Sequence, residues 1–195
     1  MATQRGFVPC RKIGGSGPAI TRTFRVSSAP NEAYFLGDAV IASTTGSVRP
    51  LKAATPLATR PLGVIIGLLD HNQKPLTHSL PTRGPFLATA VVGYALVNCD
   101  PHQTYVAEYG GNPNNAVVFA GIKVSAGAPN RSTGLSGQGL DATAITTADA
   151  QFRILGLAPE QYVTNPQVSG EASAASGLVE VMMVNPVLGG GGQII

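Results

Sequence analysis

Short runs of β-branched and aromatic residues, each bounded by glycine, proline, asparagine or aspartate, constrain this chain more than any other feature. Such runs favour strands, the bounding residues favour turns, and helical punctuation is nearly absent. Candidate strands are AITRTFRV (19–26), AVIA (39–42), LGVIIGL (62–68), FLATAVVGYALVN (86–98), TYVAEY (104–109), VVFAGIKV (117–124), FRILGL (152–157) and LVEVMMV (178–184). The helix candidates are short: TTADA (146–150) and one turn near APEQY (158–162).

Strands of this length and spacing predict an all-β chain. We expect a β-sandwich, jelly-roll or barrel-like main domain, a smaller β region and an extended N-terminal arm. The predicted boundaries are 1–25 for the basic arm, 26–85 for the small β region and 86–195 for the main β domain with its Gly-rich tail.

The chain is apolar and sparsely charged. Hydrophobic residues make up 44% of it, whereas charged residues make up 12%, about half the roughly 25% of an ordinary globular domain. Disordered chains combine low hydrophobicity with high charge, so this composition argues against disorder. It indicates a subunit that covers part of its surface with other protein.

The positive charge is concentrated at the N-terminus. The first 25 residues contain five basic and no acidic side chains, whereas the remainder has eight basic and ten acidic ones. Such an arm binds nucleic acid or an acidic protein surface, or remains a solvated tail. Because the charges are dilute, with only Phe7 and Phe24 as aromatic neighbours, we expect no direct nucleic-acid contact. The candidate contact residues are Arg5, Arg11, Lys12, Arg22 and Arg25.

Cysteine usage and hydropathy bound the cellular setting. Cys10 and Cys99 lack CxxC spacing and are too few for a disulfide framework, so free thiols are expected. The opening MATQRGFVPCRKIGG lacks the apolar core of a signal peptide, and no apolar run approaches the ~20 residues of a membrane helix. We therefore expect synthesis in the cytoplasm and no membrane partner.

Catalytic and ligand-binding patterns are weak throughout. The three histidines (His71, His78 and His102) lack metal-ligand spacing, and Ser136 in STGLSGQG departs from the G-x-S-x-G elbow at Gln138. The glycine-rich GGSGP and GQG lack the remaining residues of a phosphate-binding loop, and the ten acids favour no glycosidase pair. The sequence predicts no enzyme activity, no catalytic or metal residue and no cofactor.

Several segments follow one another in a distinctive order between residues 30 and 186. GDAV (37–40) precedes TGSV (45–48) and then LGV (62–64) with Gly67, and a strand before Asp100-Pro101 leads into the aromatic TYVAEYGG. The chain closes with FRILGLAPE and GLVEVMMVNP. This order resembles the capsid cement (head decoration) proteins of tailed bacteriophages. The departures are the proline-rich stretch 50–61, the polar insert 158–176 and the basic arm.

The resemblance implies a structural virion protein without catalytic residues. Such a protein binds the outer surface of the capsid and cements neighbouring major capsid subunits around the packaged DNA. The implied partners are the major capsid protein and further copies of this chain, as a dimer or trimer. The five basic residues then become the candidate capsid contacts.

Three alternatives remain open at this point. One is another β-rich virion component, such as a head-fibre base, a tail protein or a minor coat subunit. Another is a hydrolase that uses Ser136 or His102. The third is a carbohydrate-binding module that displays Tyr94, Tyr105 and Tyr109, although the chain lacks tryptophan.

Overall fold

The computed structural model describes residues 6–14, 17–26, 32–56, 58–77, 85–146, 150–158, 177–184 and 186–187. Within them the chain is all-β, and its only helical element is a 3₁₀ turn, Asn115–Val117. The strands are β1 (Val8–Lys12), β2 (Thr21–Arg25), β3 (Tyr34–Phe35), β4 (Ala39–Ala42), β5 (Val48–Pro50), β6 (Gly63–Leu69), β7 (Phe86–Leu87), β8 (Tyr94–Asn98), β9 (Gln103–Tyr109), β10 (Gly121–Ile122), β11 (Val124–Ser125), β12 (Gly139–Leu140), β13 (Phe152–Leu157) and β14 (Gly177–Met183).

The larger sheet is mixed and nearly closes into a barrel. Its strand order is β10-β13-β14-β9-β12-β11, and β1 pairs with β9. Only Lys123 separates β10 from β11, so the two ends of this path lie on one short stretch of chain. The pairing of β12 with β9 is parallel, and the other pairings are antiparallel. We call this sheet the barrel.

The second sheet is antiparallel, with the order β2-β8-β6-β4-β5. A bridge between Val26 and Val48 links its two edge strands at one end. Its interior contains buried side chains from every strand or its flank, among them Val40, Val97 and Leu68. The strands β3 and β7 form a small separate pair, in which Phe35 stacks on Phe86.

Part of the five-stranded sheet packs into the core of the barrel. Ala39, Ile41 and Val64 lie on the second sheet but pack with the barrel interior. The Gln138 amide joins the two units: its Oε1 accepts from Ala39 N at 2.7 Å and its Nε2 donates to Leu51 O at 2.8 Å. The buried Gln138 amide thus satisfies backbone groups at the start of β4 and just after β5, and it holds the loop before β12 of the barrel against the second sheet.

The prediction of an all-β fold with a barrel-like main unit and a smaller β region is confirmed. Two predicted strands, 39–42 and 152–157, match the observed bounds. The predicted strand 86–98 is divided by a turn at Ala90, whose φ is 62°. The predicted strand 117–124 starts instead in the 3₁₀ turn and is interrupted at Phe119, whose φ is 67°. The predicted helical turns lie largely outside the described residues.

The predicted boundaries at residues 25 and 86 do not coincide with the sheets. The five-stranded sheet takes β2 from the predicted arm and β8 from the predicted main domain. The described part of the arm is therefore two paired strands, β1 and β2, because backbone pairing over long sequence separations overrides the compositional break at the first acidic residue.

Neither Cys10 nor Cys99 forms a disulfide, as expected. No helix in the described ranges has the length and apolar character needed to span a bilayer.

Candidate interaction surface

Two of the predicted contact residues are held in ion pairs on or beside β1. The Arg11 guanidinium binds Glu180 of β14 through two bonds, Nε to Oε1 at 2.7 Å and Nη2 to Oε2 at 2.8 Å. The hydrogen bond and the charge of Glu180 raise the pKa of Arg11. Lys12 Nζ lies 2.8 Å from Asp100 Oδ2. The carboxylates are buried, with side chains 3% and 1% exposed, so these cations neutralise acids of their own chain.

The pKa of Asp100 follows from this arrangement. Burial acts to raise it, but hydrogen bonds from Lys12 and from the backbone N–H groups of His102 and Ile20 outweigh burial, and the pKa lies below its ordinary value. The carboxylate therefore remains charged and holds the start of β9 against the end of β1.

The other two described cations lie on β2 and are exposed. None of the ion pairs among the described residues involves Arg22 or Arg25. Their side chains point to opposite faces of the sheet, because paired residues of neighbouring strands share a face. Arg22 is paired with Val97, whose side chain lies on the inner face, and Arg25 is paired with Tyr94, whose side chain lies on the outer face. Arg5 lies outside the described residues. The structure therefore divides the five predicted residues and does not bring them together as one patch.

Strand β2 has an open edge. Val26 donates to Gly93 O and Ile20 accepts from Cys99 N, so the positions bonded to β8 are the even-numbered ones. Because bonded positions alternate in an antiparallel pair, the N–H and C=O groups of Thr21, Thr23 and Arg25 point away from β8. Among the described residues the bridge between Val26 and Val48 lies on that side; because the N–H of Val26 itself faces β8, this bridge uses the C=O of Arg25 and leaves open the backbone groups of Thr21 and Thr23 and the N–H of Arg25. An edge of this kind is a template for another strand.

The outer face of β6 and β8 is apolar and only partly covered. At one end it is buried against the barrel, where Val64 is fully buried and Asn98 is 2% exposed. At the other end Leu69, Tyr94 and Leu96 are half-buried, and Ile66, the extra residue of a β-bulge, is 38% exposed. We call these last four residues the outer face. It lies beside Thr23 and Arg25 of β2, which share its side of the sheet.

An exposed apolar turn extends this surface. Residues 88–92 (ATAVV) join β7 to β8 and are all exposed, with Val91 at 42% and Val92 at 44%. Val91 N donates to Ala88 O, and Ala90 takes the left-handed backbone conformation that favours glycine. Exposed valines beside an apolar sheet face are typical of a protein-binding surface.

The residues of the hydrolase and carbohydrate alternatives are placed elsewhere. Ser136 is fully buried, where it accepts from Gln138 N at 2.9 Å and bonds to Asp38, whereas His102 is exposed on the turn after β8. Tyr105 and Tyr109 belong to the barrel core, so only Tyr94 reaches the surface. Within the described ranges no three His, Cys, Asp or Glu side chains are grouped as metal ligands, and His78 lies outside those ranges.

A buried carboxyl lies at the junction of the two units. Asp38 Oδ2 accepts from Phe35 N at 2.8 Å, and the neighbouring Gly37 accepts from Phe7 N at 2.9 Å. Burial raises the pKa of Asp38 to about 7, although the hydrogen bonds from Ser136 and Phe35 oppose it. No cation contributes to this shift, so the group is neutral over much of the acidic range.

A cavity of about 260 Å³ lies beside β5 and is lined by Glu32, Arg49 and Lys52 among others. Glu32 already accepts from the Tyr34 hydroxyl at 3.2 Å and pairs with Lys52 at 3.3 Å. Its charge is therefore balanced within the chain, and the open edge with the outer face remains the better candidate site.

The sequence predicts the cations of β2 as contact residues but does not indicate the apolar part of this surface. Tyr94 and Leu96 lie in the predicted strand 86–98 and Leu69 follows the predicted strand 62–68, and none of the three was predicted as a capsid contact. The signal available in the sequence was the ATAVV run, an apolar segment at a turn position.

Comparison with known proteins finds no matching family model, no matching curated protein and no matching solved structure.

Proposed function

We propose that this chain is a structural virion protein that binds the outer surface of a phage capsid and cements neighbouring major capsid subunits. The observation that carries the proposal is the continuity of an open strand edge with an apolar, half-covered sheet face. Such a surface suits a lasting protein contact, because backbone bonds supply orientation and apolar burial supplies most of the free energy.

The low charge of the chain supports the same proposal. Interfaces that persist are more hydrophobic than transient ones, and they deplete charge from their centre. Here the outer face contains only apolar and aromatic side chains, with Arg25 at its border. A homo-oligomer of two or three copies on the capsid surface multiplies such contacts by symmetry, so that avidity replaces a single tight interaction.

The test is binding to empty, expanded heads of the phage that encodes this chain. We expect the purified protein to saturate the heads and raise their temperature of disruption in calorimetry. Hundreds of bound copies per head identify a cement protein, whereas a few copies identify a fibre base or tail component. Failure of the protein to bind heads would overturn the proposal.

A matched pair of variants locates the contact. Leu96→Lys places a charge on the outer face, and we expect occupancy on heads to fall at least about tenfold, because a lysine there must be desolvated on binding. Leu157→Lys is the control, since Leu157 is 49% exposed on the barrel strand β13, away from this face. Equal loss of binding in both variants would argue against the outer face.

A further inference from the structure

The open edge of β2 combines free backbone groups with two cations whose spacing is defined. Thr21 and Thr23 present their N–H and C=O groups, and Arg25 its N–H group, on the side away from β8. Arg22 and Arg25 are three residues apart and point to opposite faces of the sheet. Four of the five residues of β2 are exposed, and only Phe24 is half-buried.

Two buried acids that bind the cations of β1 are not available to the cations of β2. Asp100 at the end of β8 is paired with Lys12 and accepts from Ile20 N at 3.3 Å, and Glu180 on the barrel is paired with Arg11. The two arginines of β2 therefore have no carboxylate of their own chain among the described ion pairs. A partner segment that lies along β2 meets both cations.

We infer that β2 accepts an extended segment of a partner protein as an additional strand, and that this segment carries two carboxylates three residues apart. Residues opposite Arg22 and Arg25 in an added strand are separated by three positions, whether the strand runs parallel or antiparallel. That spacing places one carboxylate on each face, as the arginines require. Two carboxylates at alternate positions share one face and meet only one arginine.

A second copy of this chain fits the edge less well. Pairing β2 with β2 of another copy brings four arginines together without any carboxylate, and cross-strand like charges oppose pairing. The identification of the partner as the major capsid protein rests on the proposed function, whereas the chemistry of the segment does not.

Synthetic peptides test the inference directly. The probe is the capped hexapeptide Thr-Glu-Val-Thr-Glu-Thr, whose glutamates are three residues apart, and binding is followed by NMR shifts and amide exchange at Thr21, Thr23 and Arg25. We expect binding at β2, about tenfold weaker binding in Arg22→Gln/Arg25→Gln, and no binding of the peptide with lysine in place of glutamate. A peptide with glutamates at alternate positions is expected to bind more weakly than the probe.

Backbone variants separate strand addition from simple charge attraction. Thr23→Pro removes an N–H that points to the open edge, a position at which edge strands tolerate proline, and Thr23→Ala keeps it. We expect Thr23→Pro to abolish peptide binding and Thr23→Ala to preserve it. If Thr23→Pro fails to fold, the arginine double variant and the lysine peptide still decide the question.

The outcomes also distinguish this inference from the proposed function. Peptide binding at β2 without binding to heads supports the edge and overturns the capsid role. Three results overturn the inference about the edge of β2. The first is binding to heads that Thr23→Pro leaves intact, and the second is equal binding of the lysine peptide. The third is a concentration-dependent dimer that Thr23→Pro dissociates.

Discussion

Strands β1 and β2 have the same length, lie close together in the chain and carry two cations each, yet the fold uses them differently. β1 is tied to the barrel by Arg11 and Lys12, which bind buried carboxylates. Immediately before it, Phe7 is 1% exposed and stacks on Phe152 with ring centroids 4.5 Å apart. β2 pairs with β8 alone along its length and leaves its cations in solvent.

The difference shows that the basic character of a segment does not define its role. A cation that meets a buried acid stabilises the fold, because removing it leaves an uncompensated charge in a desolvated place. A cation on an open edge contributes little to stability and is available to a partner. We expect β1 to be structural and β2 to be the contact strand, and substitutions at or beside both strands and at the junction of the two units test this division.

The largest effect is expected at the aromatic anchor of β1. Phe7→Ala removes a fully buried ring and its stacking on Phe152, and we expect the free energy of unfolding to fall by about 3–5 kcal/mol. The control on the other strand is Phe24→Ala, where the ring is half-buried and the loss is smaller. Urea unfolding followed by circular dichroism measures both, and a loss in Phe24→Ala that matches Phe7→Ala would break the comparison.

The junction on which Phe7 docks is expected to respond to pH. The folded pKa of Asp38 is about 7, above its ordinary value of 3.8, so the folded state binds the proton more tightly. We therefore expect the contribution of Asp38 to stability to be full below about pH 4 and to fall by about 1.4 kcal/mol per pH unit up to about pH 7.

Asp38→Asn removes this dependence, since the amide mimics the neutral acid. We expect the variant and the parent protein to be similarly stable at pH 4 and the variant to be more stable at pH 8, measured by urea unfolding across this range. Asp100 and Asp141, whose pKa values are lowered, lose their contributions only at more acidic pH. A parent protein that becomes more stable from pH 5 to pH 8, with no difference from Asp38→Asn, would contradict the prediction.

A third variant tests the ion pair of β1. Arg11→Gln leaves the Glu180 carboxylate, whose side chain is 3% exposed, without its cation, so we expect a clear loss of stability. The stability of Arg11→Lys is expected to lie between that of Arg11→Gln and that of the parent protein, because lysine keeps the charge but does not form the paired bonds of the guanidinium. Thermal unfolding at low and high salt is the measurement, and a neutral Arg11→Gln would make β1 equivalent to β2.

The smallest effect on stability is expected on β2. Arg25→Gln is expected to change the free energy of unfolding by no more than about 0.5 kcal/mol, because the side chain is exposed and has no ion pair among the described residues. The same unfolding experiment as for Arg11→Gln provides the check. A loss equal to that of Arg11→Gln would show that the two strands share one structural role.

The strands were the most predictable part of the molecule. AVIA and FRILGL were predicted to the residue, because β-branched and apolar side chains bounded by turn residues are a local signal. β1 was missed because Pro9 and the adjacent charges of Arg11 and Lys12 disguise it, and proline is tolerated there since β1 is an edge strand. The apparent strand 86–98 failed at Ala90, where an apolar turn contains no glycine or proline to mark it.

The candidate surface was less predictable, since its residues are defined by neighbours distant in sequence. Arg11 and Arg22 look alike in the sequence, but Arg11 binds an acid 169 positions away, whereas Arg22 forms no ion pair within the described part of the chain. Likewise Val64 and Leu69 belong to one apolar run, and only the position of the barrel makes the first buried and the second half-exposed.

The amino-acid order alone was sufficient to specify an all-β chain of short strands with sparse charge, because strand and turn preferences act over a few residues. The closure of the barrel, the choice of which cations are neutralised and the edge left open were decided by tertiary structure. These features depend on register and on desolvation of groups brought together from opposite ends of the chain, and neither is encoded within a local window.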